Sequence, residues 1–376
     1  MSTENVPFDV NESILNHISQ LKTWFPKHAV ISVGEYSSQI LLKGSFLIKT
    51  DDNLLLFIDK SDDAEIKWKE SPLDKYNMLM IGARIDTHFW YNLSAYVKNS
   101  DYLLSRLKSK SIDKLEGAIL VSSIGDGVGS GLLPVLLSEF KKRKISSIAL
   151  ALFPSRTQPP DAQFNAFSSL GLCAAKSFAP ILMGRDQVES FVGVDRKGSL
   201  LTGNNVVSYL LELVLEKEAF TQEIDELSRT FGVKMYGILA ATGASLKVYG
   251  SLEKMLNASL FTPLFTFDLS TSKVLYVLIR MPIRLKAKLP REKIELDIIK
   301  WFKERANLHS VSLSEPIYTA DGGDRMDIVM FAGNFDATPI FASIEKQVNE
   351  NKNRAIESGS IGKKEWQEIA NSFKKD

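Results

Sequence analysis

The chain has 376 residues, of which 44% are hydrophobic, and its 46 basic side chains nearly balance 45 acidic ones. This length suits two domains rather than one small core, and the balanced charge favours neither nucleic acid nor a membrane surface as a partner. One cysteine excludes an internal disulfide, and four scattered histidines predict no metal site.

The start of the sequence lacks a basic and then apolar leader pattern. No apolar run approaches the roughly 20 residues that a membrane-spanning helix needs. We therefore expect a soluble, cytoplasmic protein without a direct membrane span.

Residues 1–28 are predicted to form an N-terminal extension. Ile14, Ile18, Leu21 and Trp24 fall on one face of a short amphipathic helix that Pro26 closes. Such a face usually packs on its own domain, and a partner-binding arm is the alternative.

The first predicted core strand, Ala29–Val33, leads into a turn that contains Gly34 and Gln39. Two further strands are predicted at 53–59 and 76–81. The first of these is continuously apolar, as in a strand buried on both faces. The second ends in Gly82 and Ala83.

A glycine-rich stretch at 122–135 follows the apolar strand 117–121 and leads into a predicted helix. Glycine occupies every second position from Gly125 to Gly131, which predicts a concave nest of backbone amides for an anion. The helix dipole favours negative charge at the same point, so phosphate is the expected ligand. A plain glycine-rich turn is the alternative. The stretch lacks the Gly-Lys-Ser/Thr of a P-loop and the spacing of a dinucleotide fingerprint.

Two more predicted strands, 148–153 and 179–183, end in loops that begin at Pro154 and Gly184. Strands that alternate with helices predict a parallel sheet with helices on both faces. The loops 34–40, 82–86, 125–131, 154–161 and 184–186 all follow strands and therefore line one edge. Because ligands bind at the carboxyl ends of parallel strands, this edge is the predicted nucleotide site.

The glycine stretch resembles the G-G-G-T-G-[ST]-G phosphate loop of the tubulin/FtsZ superfamily. Gly125–Gly131 keeps the alternate glycines, and Pro134-Val135 stands where FtsZ has Ala-Pro-Val. Asp126 and Val128 depart from the motif: one brings a carboxylate near phosphates, and the other removes a hydroxyl donor. The chain is identified as a divergent FtsZ-like member of that superfamily, with an archaeal branch as one option.

The resemblance implies an α/β fold in which a parallel-sheet nucleotide-binding domain, a long central core helix and a second α/β domain with a mixed sheet follow one another. The expected boundaries are 29–200 for the GTP-binding domain, 201–226 for the core helix and catalytic-loop segment, 227–344 for the C-terminal domain and 345–376 for a charged helix or tail. Residues 232–243 and 258–264 resemble FtsZ segments of the second domain. The apolar helix that starts near Asn204 is expected between the two domains.

The resemblance also implies a set of site residues. The nucleotide-binding residues would be Gly34, Gln39, Gly82, Ala83, Gly125, Asp126, Gly127, Val128, Gly129, Ser130, Gly131, Pro154, Arg185, Asn204 and Asn205. An asparagine amide can read the edge of guanine, and which of Asn204 and Asn205 does so stays open, with helix capping as the alternative role. Glu223 and Asp225 would be the catalytic carboxylates, and a solvated acidic helix face is the other interpretation.

The implied function is GTP-dependent head-to-tail polymerisation into a cytoskeletal filament, in cell division or cell shape. The acidic segment of one subunit would complete hydrolysis in the next, with GTP or GDP and Mg²⁺ as cofactors. The chain itself is the expected partner, with a membrane-tethering or division partner on the tail as an option. The rival hypothesis is a non-hydrolysing scaffold with a weakened site. A metabolic enzyme is disfavoured because no nucleophile–base pair stands out.

Overall fold

The computed structural model describes residues 27–44, 53–60, 78–81, 86–99, 115–320 and 323–373. The amphipathic pattern of the N-terminal extension lies outside these residues, as do the site candidates Gly82 and Ala83.

The first half of the chain alternates strands and helices, as the sequence predicts. Its elements are β1 (His28–Val33), α1 (Glu35–Gly44), β2 (Asn53–Lys60), β3 (Met78–Ile81), α2 (Trp90–Asn99), β4 (Gly117–Ser123), α3 (Gly127–Lys142), β5 (Ser146–Phe153), α4 (Pro160–Ala175), β6 (Ile181–Gly184), α5 (Arg185–Ser190), β7 (Val192–Val194) and β8 (Leu200–Thr202). Strands β1 to β6 pair in parallel in the order β3-β2-β1-β4-β5-β6. Strands β1, β4 and β6 are buried along their whole length, because helices cover both faces of the sheet.

The second half carries a mixed sheet. Its elements are α6 (Gly203–Glu216), α7 (Phe220–Phe231), β9 (Tyr236–Ser245), α8 (Leu246–Tyr249), α9 (Leu252–Ser259), β10 (Val274–Pro282), α10 (Arg291–Lys303), β11 (Ser310–Leu313), β12 (Ile317–Thr319), β13 (Arg325–Gly333), α11 (Thr338–Ala342), α12 (Glu345–Glu357) and α13 (Lys363–Asn371). Strand β13 lies antiparallel between β9 and β10. Strand β6 pairs with β9 through Ile181↔Tyr236 and Leu182↔Gly237, so both halves share one sheet.

Helix α6 is the central core helix. Its apolar side chains, including Val206, Val207 and Leu211, are buried in a cluster with residues of β1, β4 and β5 on one side and of β9, β10 and β13 on the other. A helix that is apolar nearly all round is stable only when it is covered in this way.

A buried polar network ties α6 to the second half. The Arg280 guanidinium, 1% exposed, donates to Asp327 (Nε–Oδ2 2.9 Å) and pairs with Glu216 of α6 (3.1 Å). The Tyr209 hydroxyl of α6 donates to the Asp327 carboxylate as well, at 2.9 Å to Oδ2. The buried charges are therefore paired, which is the condition under which burial is tolerated.

The last three helices pack onto the first half of the chain. Helices α12 and α13 lie against α4, where Ile369 is fully buried next to Gly171. In the part of the chain that the structure describes, no helix is both long and apolar enough to cross a membrane.

Candidate nucleotide site and the opposite edge of the sheet

The carboxyl ends of β1, β4, β5 and β6 surround a polar cavity of about 200 Å³. Its lining residues are Glu35, Tyr36, Gln39, Ser123, Gly125, Asp126, Leu152, Phe153, Pro154, Gln158 and Arg185. Five of the predicted nucleotide-binding residues are among them: Gln39, Gly125, Asp126, Pro154 and Arg185. The strand-end loops therefore meet at one edge of the sheet.

The glycine stretch is less of a loop than the sequence predicts. Helix α3 already begins at Gly127, so Gly127, Gly129 and Gly131 lie in its first turns, where they are buried. A Cβ on Gly131 would lie 2.5 Å from the Trp90 carbonyl oxygen, and one on Gly127 would overlap the carbonyl of Thr87. These glycines allow α3 to pack closely against the segment that leads into α2. Val128 and Ser130 are buried in the same turns.

Asp126 is the N-cap of α3 and takes up the amide at its N-terminus. Its Oδ1 accepts a hydrogen bond from the Gly129 amide at 2.6 Å, and its Oδ2 accepts one from the Ser123 hydroxyl. A helix N-terminus of this kind binds phosphate in nucleotide sites. In this chain a carboxylate of the protein itself occupies that position.

Gly34 permits the carboxylate to lie there. It adopts φ +93°, and a Cβ at this position would lie 2.6 Å from both Asp126 carboxylate oxygens and 2.5 Å from Ser123 Oγ. Burial raises the pKa of Asp126 to about 6, although hydrogen bonds from Ser123 and from the Gly129 and Glu35 amides act in the opposite direction. A nucleotide phosphate would therefore meet a partly buried acidic group.

Arg185 supplies positive charge at the far side of the cavity. Its guanidinium lies 4.1 Å from the centre of the Tyr36 ring and pairs with Glu189 (Nε–Oε1 2.8 Å). The cation is thus oriented by a π-face and a carboxylate. A phosphate would have to compete with Glu189 for it.

Asn165 joins three segments of the rim. Its side chain accepts from the Trp90 amide (3.1 Å) and donates to the carbonyl oxygens of His88 (3.0 Å) and Gly125 (3.2 Å). His88 in turn lies 2.6 Å from Asp161 at the start of α4. Asn165 fixes the 86–90 segment against the turn before α3.

The start of the core helix differs from the prediction in one respect. Thr202, rather than an asparagine, is the N-cap of α6, and no side chain caps the helix there. Asn205 is half-buried in the first turn, and the side chain of Asn204 lies outside the described parts of the chain. Capping therefore does not account for Asn205, and guanine reading by it stays a prediction.

The predicted catalytic segment lies at the other edge of the sheet. Helix α6 ends where Glu212, Glu216 and Glu218 surround a cavity with His28 and Asn53, the first residues of β1 and β2. The segment 217–226 is therefore separated from the candidate nucleotide site by the whole length of β1.

The two candidate catalytic carboxylates have partners within the molecule. Glu223, in the first turn of α7, accepts from the Tyr276 hydroxyl at 2.5 Å and pairs with Lys217 at 3.2 Å. Asp225 pairs with Arg229 at 3.2 Å on a more exposed face. Both remain partly exposed to solvent.

Sequence reasoning missed several residues of this site. Ser123, Glu35, Tyr36 and Gln158 line the cavity, and Asn165 positions its rim. Of these residues, Ser123 could most readily have been predicted from the sequence, because it is the last residue of β4 and directly precedes the turn to α3. Within the described ranges, no three His, Cys, Asp or Glu side chains gather into a metal-binding group.

The parallel sheet, the strand-end site and the central helix together define a tubulin/FtsZ-like fold, as predicted. The chain is similar to a CetZ structure from Methanosaeta thermophila strain DSM 6194, with 16% identity and a TM-score of 0.67 over 92% of this chain and 98% of that one. It is also similar to CetZ2 of Haloferax volcanii in a GTPγS-bound protofilament (16% identity, TM-score 0.65, 88% and 99% covered). CetZ1 of the same organism, a GDP-bound monomer, gives 16% identity and a TM-score of 0.66 over 87% and 99%.

No protein-family model matches the chain, and no curated protein sequence matches it either. The structural likeness spans nearly the full length of each CetZ chain, so it confirms the predicted fold.

Proposed function

We propose that this protein assembles head to tail into filaments and that guanine nucleotide binds at the carboxyl-end edge of its sheet. The observation that carries the proposal is the placement of two features at opposite edges. The strand-end cavity with Arg185 lies at one edge, and the acidic segment around Glu223 lies at the other. Head-to-tail stacking brings the acidic segment of one molecule over the cavity of the next.

The structural neighbours support assembly and guanine-nucleotide binding. One CetZ2 structure is a GTPγS-bound protofilament, and a CetZ1 structure contains GDP. In this chain, Gly125, Pro154, Gln39 and Arg185 would contact the nucleotide. Carboxylate oxygens are ligands that Mg²⁺ prefers, and Glu35, which lines the cavity, would supply one.

Hydrolysis would use Glu223 or Asp225 to orient water against the γ-phosphate in the neighbouring subunit. Glu223 is the better placed of the two, because the Tyr276 hydroxyl and Lys217 fix its orientation. The Tyr276 hydroxyl would hold Oε2 of Glu223, and release of Oε1 from Lys217 on assembly would free that oxygen to accept a hydrogen bond from water.

A second candidate function is assembly without hydrolysis. Asp126 favours it, because its carboxylate occupies the Gly129 amide that a phosphate would need. In that case the filament forms without a nucleotide requirement, and the site keeps only a structural role.

Sedimentation with GTP, GDP or no nucleotide, with released phosphate measured in the same tubes, separates these functions. We expect pelleting that depends on GTP and is accompanied by phosphate release. Glu223→Gln should still pellet but release at least tenfold less phosphate, whereas Glu226→Gln, an exposed neighbour on α7, should behave as wild type. Pelleting that is independent of nucleotide, without phosphate, selects the second function. If the protein does not pellet under any condition, head-to-tail assembly is wrong.

A further inference from the structure

A basic surface lies on the second half of the carboxyl-end edge of the sheet. Strand β9 runs parallel to β6, and β13 starts where β9 ends, through the pair Arg325↔Ser245. Strand β10 ends beside the start of β13, through the pair Arg280↔Asp327. The segments after β9 and β10 therefore meet the residues that lead into β13, and the turn between β7 and β8 joins them. This surface, which we call the basic edge, consists of residues 195–200, 246–249, 283–288 and 323–325.

Two of these segments are fixed by hydrogen bonds to neighbouring residues before β13. The Asp324 carboxylate accepts a hydrogen bond from the Lys247 amide at 2.9 Å, which holds α8 in place. The Arg284 Nε donates to the carbonyl oxygen of Gly323 at 2.6 Å. Because Gly323 and Asp324 are adjacent, α8 and the segment after β10 lie side by side.

The turn between β7 and β8 lies against the same place. A Cβ on Gly198 would lie 3.4 Å from Nε of Arg325. Within the turn, the Asp195 carboxylate accepts hydrogen bonds from the amides of Lys197 and Ser199, both at 2.8 Å. The turn therefore has a defined shape, and its exposed side chains project from a fixed position.

Positive charge is concentrated on the basic edge, although the chain as a whole is nearly neutral. Together with Asp321, its neighbour in the sequence, the basic edge contains seven Lys or Arg residues and three Asp residues, a net charge of +4. The whole chain carries only +1, so the remaining residues are net acidic. The exposed cations are Lys197, Lys247, Arg284, Lys286 and Lys288.

Three segments of the basic edge also expose an aliphatic side chain close to their cations. Leu200 is 69% exposed, Val248 is 78% exposed and Ile283 is 50% exposed. Val248 directly follows Lys247, and Ile283 directly precedes Arg284. Single exposed apolar side chains are normal on a protein, whereas three on one surface among cations indicate an interaction site.

This combination fits an anionic membrane surface better than an acidic protein or a nucleic acid. Projecting aliphatic side chains can enter the headgroup region of a bilayer, while cations attract the lipid phosphates. Four of the five exposed cations are lysines, which lack the planar fork that pairs with a carboxylate. The aliphatic side chains offer no aromatic ring on which nucleic-acid bases would stack.

We propose that the basic edge binds the surface of anionic lipid membranes, with Leu200, Val248 and Ile283 inserted among the headgroups. The lysines and Arg284 attract the protein to the surface, and the aliphatic side chains keep it there. This function goes beyond the assembly proposed above, and none of the residues that line the candidate nucleotide cavity belongs to the basic edge.

Vesicle sedimentation with the full-length protein tests this binding. The vesicles contain either phosphatidylcholine alone or an equal mixture of phosphatidylcholine and anionic phosphatidylglycerol. Dilute protein without GTP is used, because a neighbouring molecule in a filament would approach the same sheet edge. Each cation close to an anionic surface strengthens binding by roughly fivefold, so the mixed vesicles should bind at least about tenfold more tightly. Equal binding to both vesicles, or binding to neither, would overturn the proposal.

Charge reversal on the basic edge identifies the surface that binds. Lys247→Glu combined with Lys288→Glu should weaken binding to the mixed vesicles by at least about tenfold. Lys300→Glu combined with Lys346→Glu makes the same change in total charge at exposed positions of α10 and α12. This control should bind like wild type, and an equal loss in both double variants would contradict a specific surface.

Removal of an aliphatic side chain distinguishes a membrane from other anionic partners. Val248→Ser should weaken binding to the mixed vesicles at least threefold, because only a bilayer takes up the side chain. Leu296→Ser, at a position of α10 that is 66% exposed, should bind like wild type. Wild-type binding by Val248→Ser would refute the membrane proposal, and tight binding of duplex DNA in the same buffer would then identify a nucleic-acid site instead.

Discussion

The position of the Asp126 carboxylate leads to a specific prediction about nucleotide affinity. Asp126→Gly frees the Gly129 amide, to which Asp126 is hydrogen-bonded at 2.6 Å, and removes a negative charge from the phosphate position. A hydrogen bond to a charged group contributes about 1.5–3 kcal/mol. Since ~1.4 kcal/mol corresponds to tenfold in Kd, GTP should bind roughly 10- to 100-fold more tightly. Replacing the Asp N-cap by glycine should lower the free energy of unfolding by only about a few tenths of a kcal/mol.

Titration of a fluorescent GTP analogue at pH 8, in dilute protein that does not pellet, measures this effect. Asp126→Asn should give an intermediate affinity, because it removes the charge but keeps a side-chain acceptor for the Gly129 amide. Glu226→Gln removes one acidic charge from an exposed position of α7 and serves as the control. Pyrophosphate should show the same ranking, because the effect concerns phosphate and not the base. Equal Kd values for wild type and Asp126→Gly would refute the reasoning.

Three further predictions concern stability and are measured by urea unfolding. Asp327→Ala leaves the buried Arg280 without its main partner and should lower the free energy of unfolding by about 3–5 kcal/mol. Asp225→Ala breaks a surface pair and should cost at most about 1 kcal/mol. Similar losses in the two variants would contradict the buried network. Gly131→Ala should cost about 1–3 kcal/mol through overpacking. Gly323→Ala, where the nearest atom to an added Cβ lies 4.0 Å away, should change stability by less than about 0.5 kcal/mol. The pKa of Asp126 is raised to about 6 in the folded state, so its charged form destabilises the fold above that pH. The stability advantage of Asp126→Asn over wild type should therefore be largest at pH 8 and shrink by pH 5. A difference that does not depend on pH would contradict this linkage.

The sequence predicted the parts of the fold that depend on the spacing of apolar residues and on turn-forming residues. Continuous apolar runs gave β1, β2, β4 and β5, and the strand-then-loop alternation placed Gly34, Gly125, Pro154 and Arg185 at one edge. Residues 206–215 carry apolar side chains nearly all round a helix, which predicted a helix covered on all sides. Helix α6 is such a helix.

The roles of the glycines could not be predicted from the sequence, because they depend on tertiary contacts. Alternating glycines fit a phosphate nest and close helix packing equally well, and only the structure shows that the carbonyls of Thr87 and Trp90 approach Gly127 and Gly131 closely. For the same reason, the pairing of Asp126 with Ser123 and the stacking of Arg185 on Tyr36 were not visible in the pattern. The Arg185–Tyr36 contact joins residues of separate elements. The Asp126–Ser123 contact crosses a turn whose geometry cannot be read from the sequence.

Cross-linking between opposite edges tests head-to-tail assembly most directly. Arg156 is exposed at the carboxyl-end edge and Glu218 at the amino-end edge, while the native Cys173 is fully buried and does not interfere. Arg156→Cys and Glu218→Cys proteins are mixed with GTP and a short bis-maleimide. The account predicts covalent dimers in the mixture and none in either variant alone. Dimers of each variant alone, or none in the mixture under pelleting conditions, would contradict it.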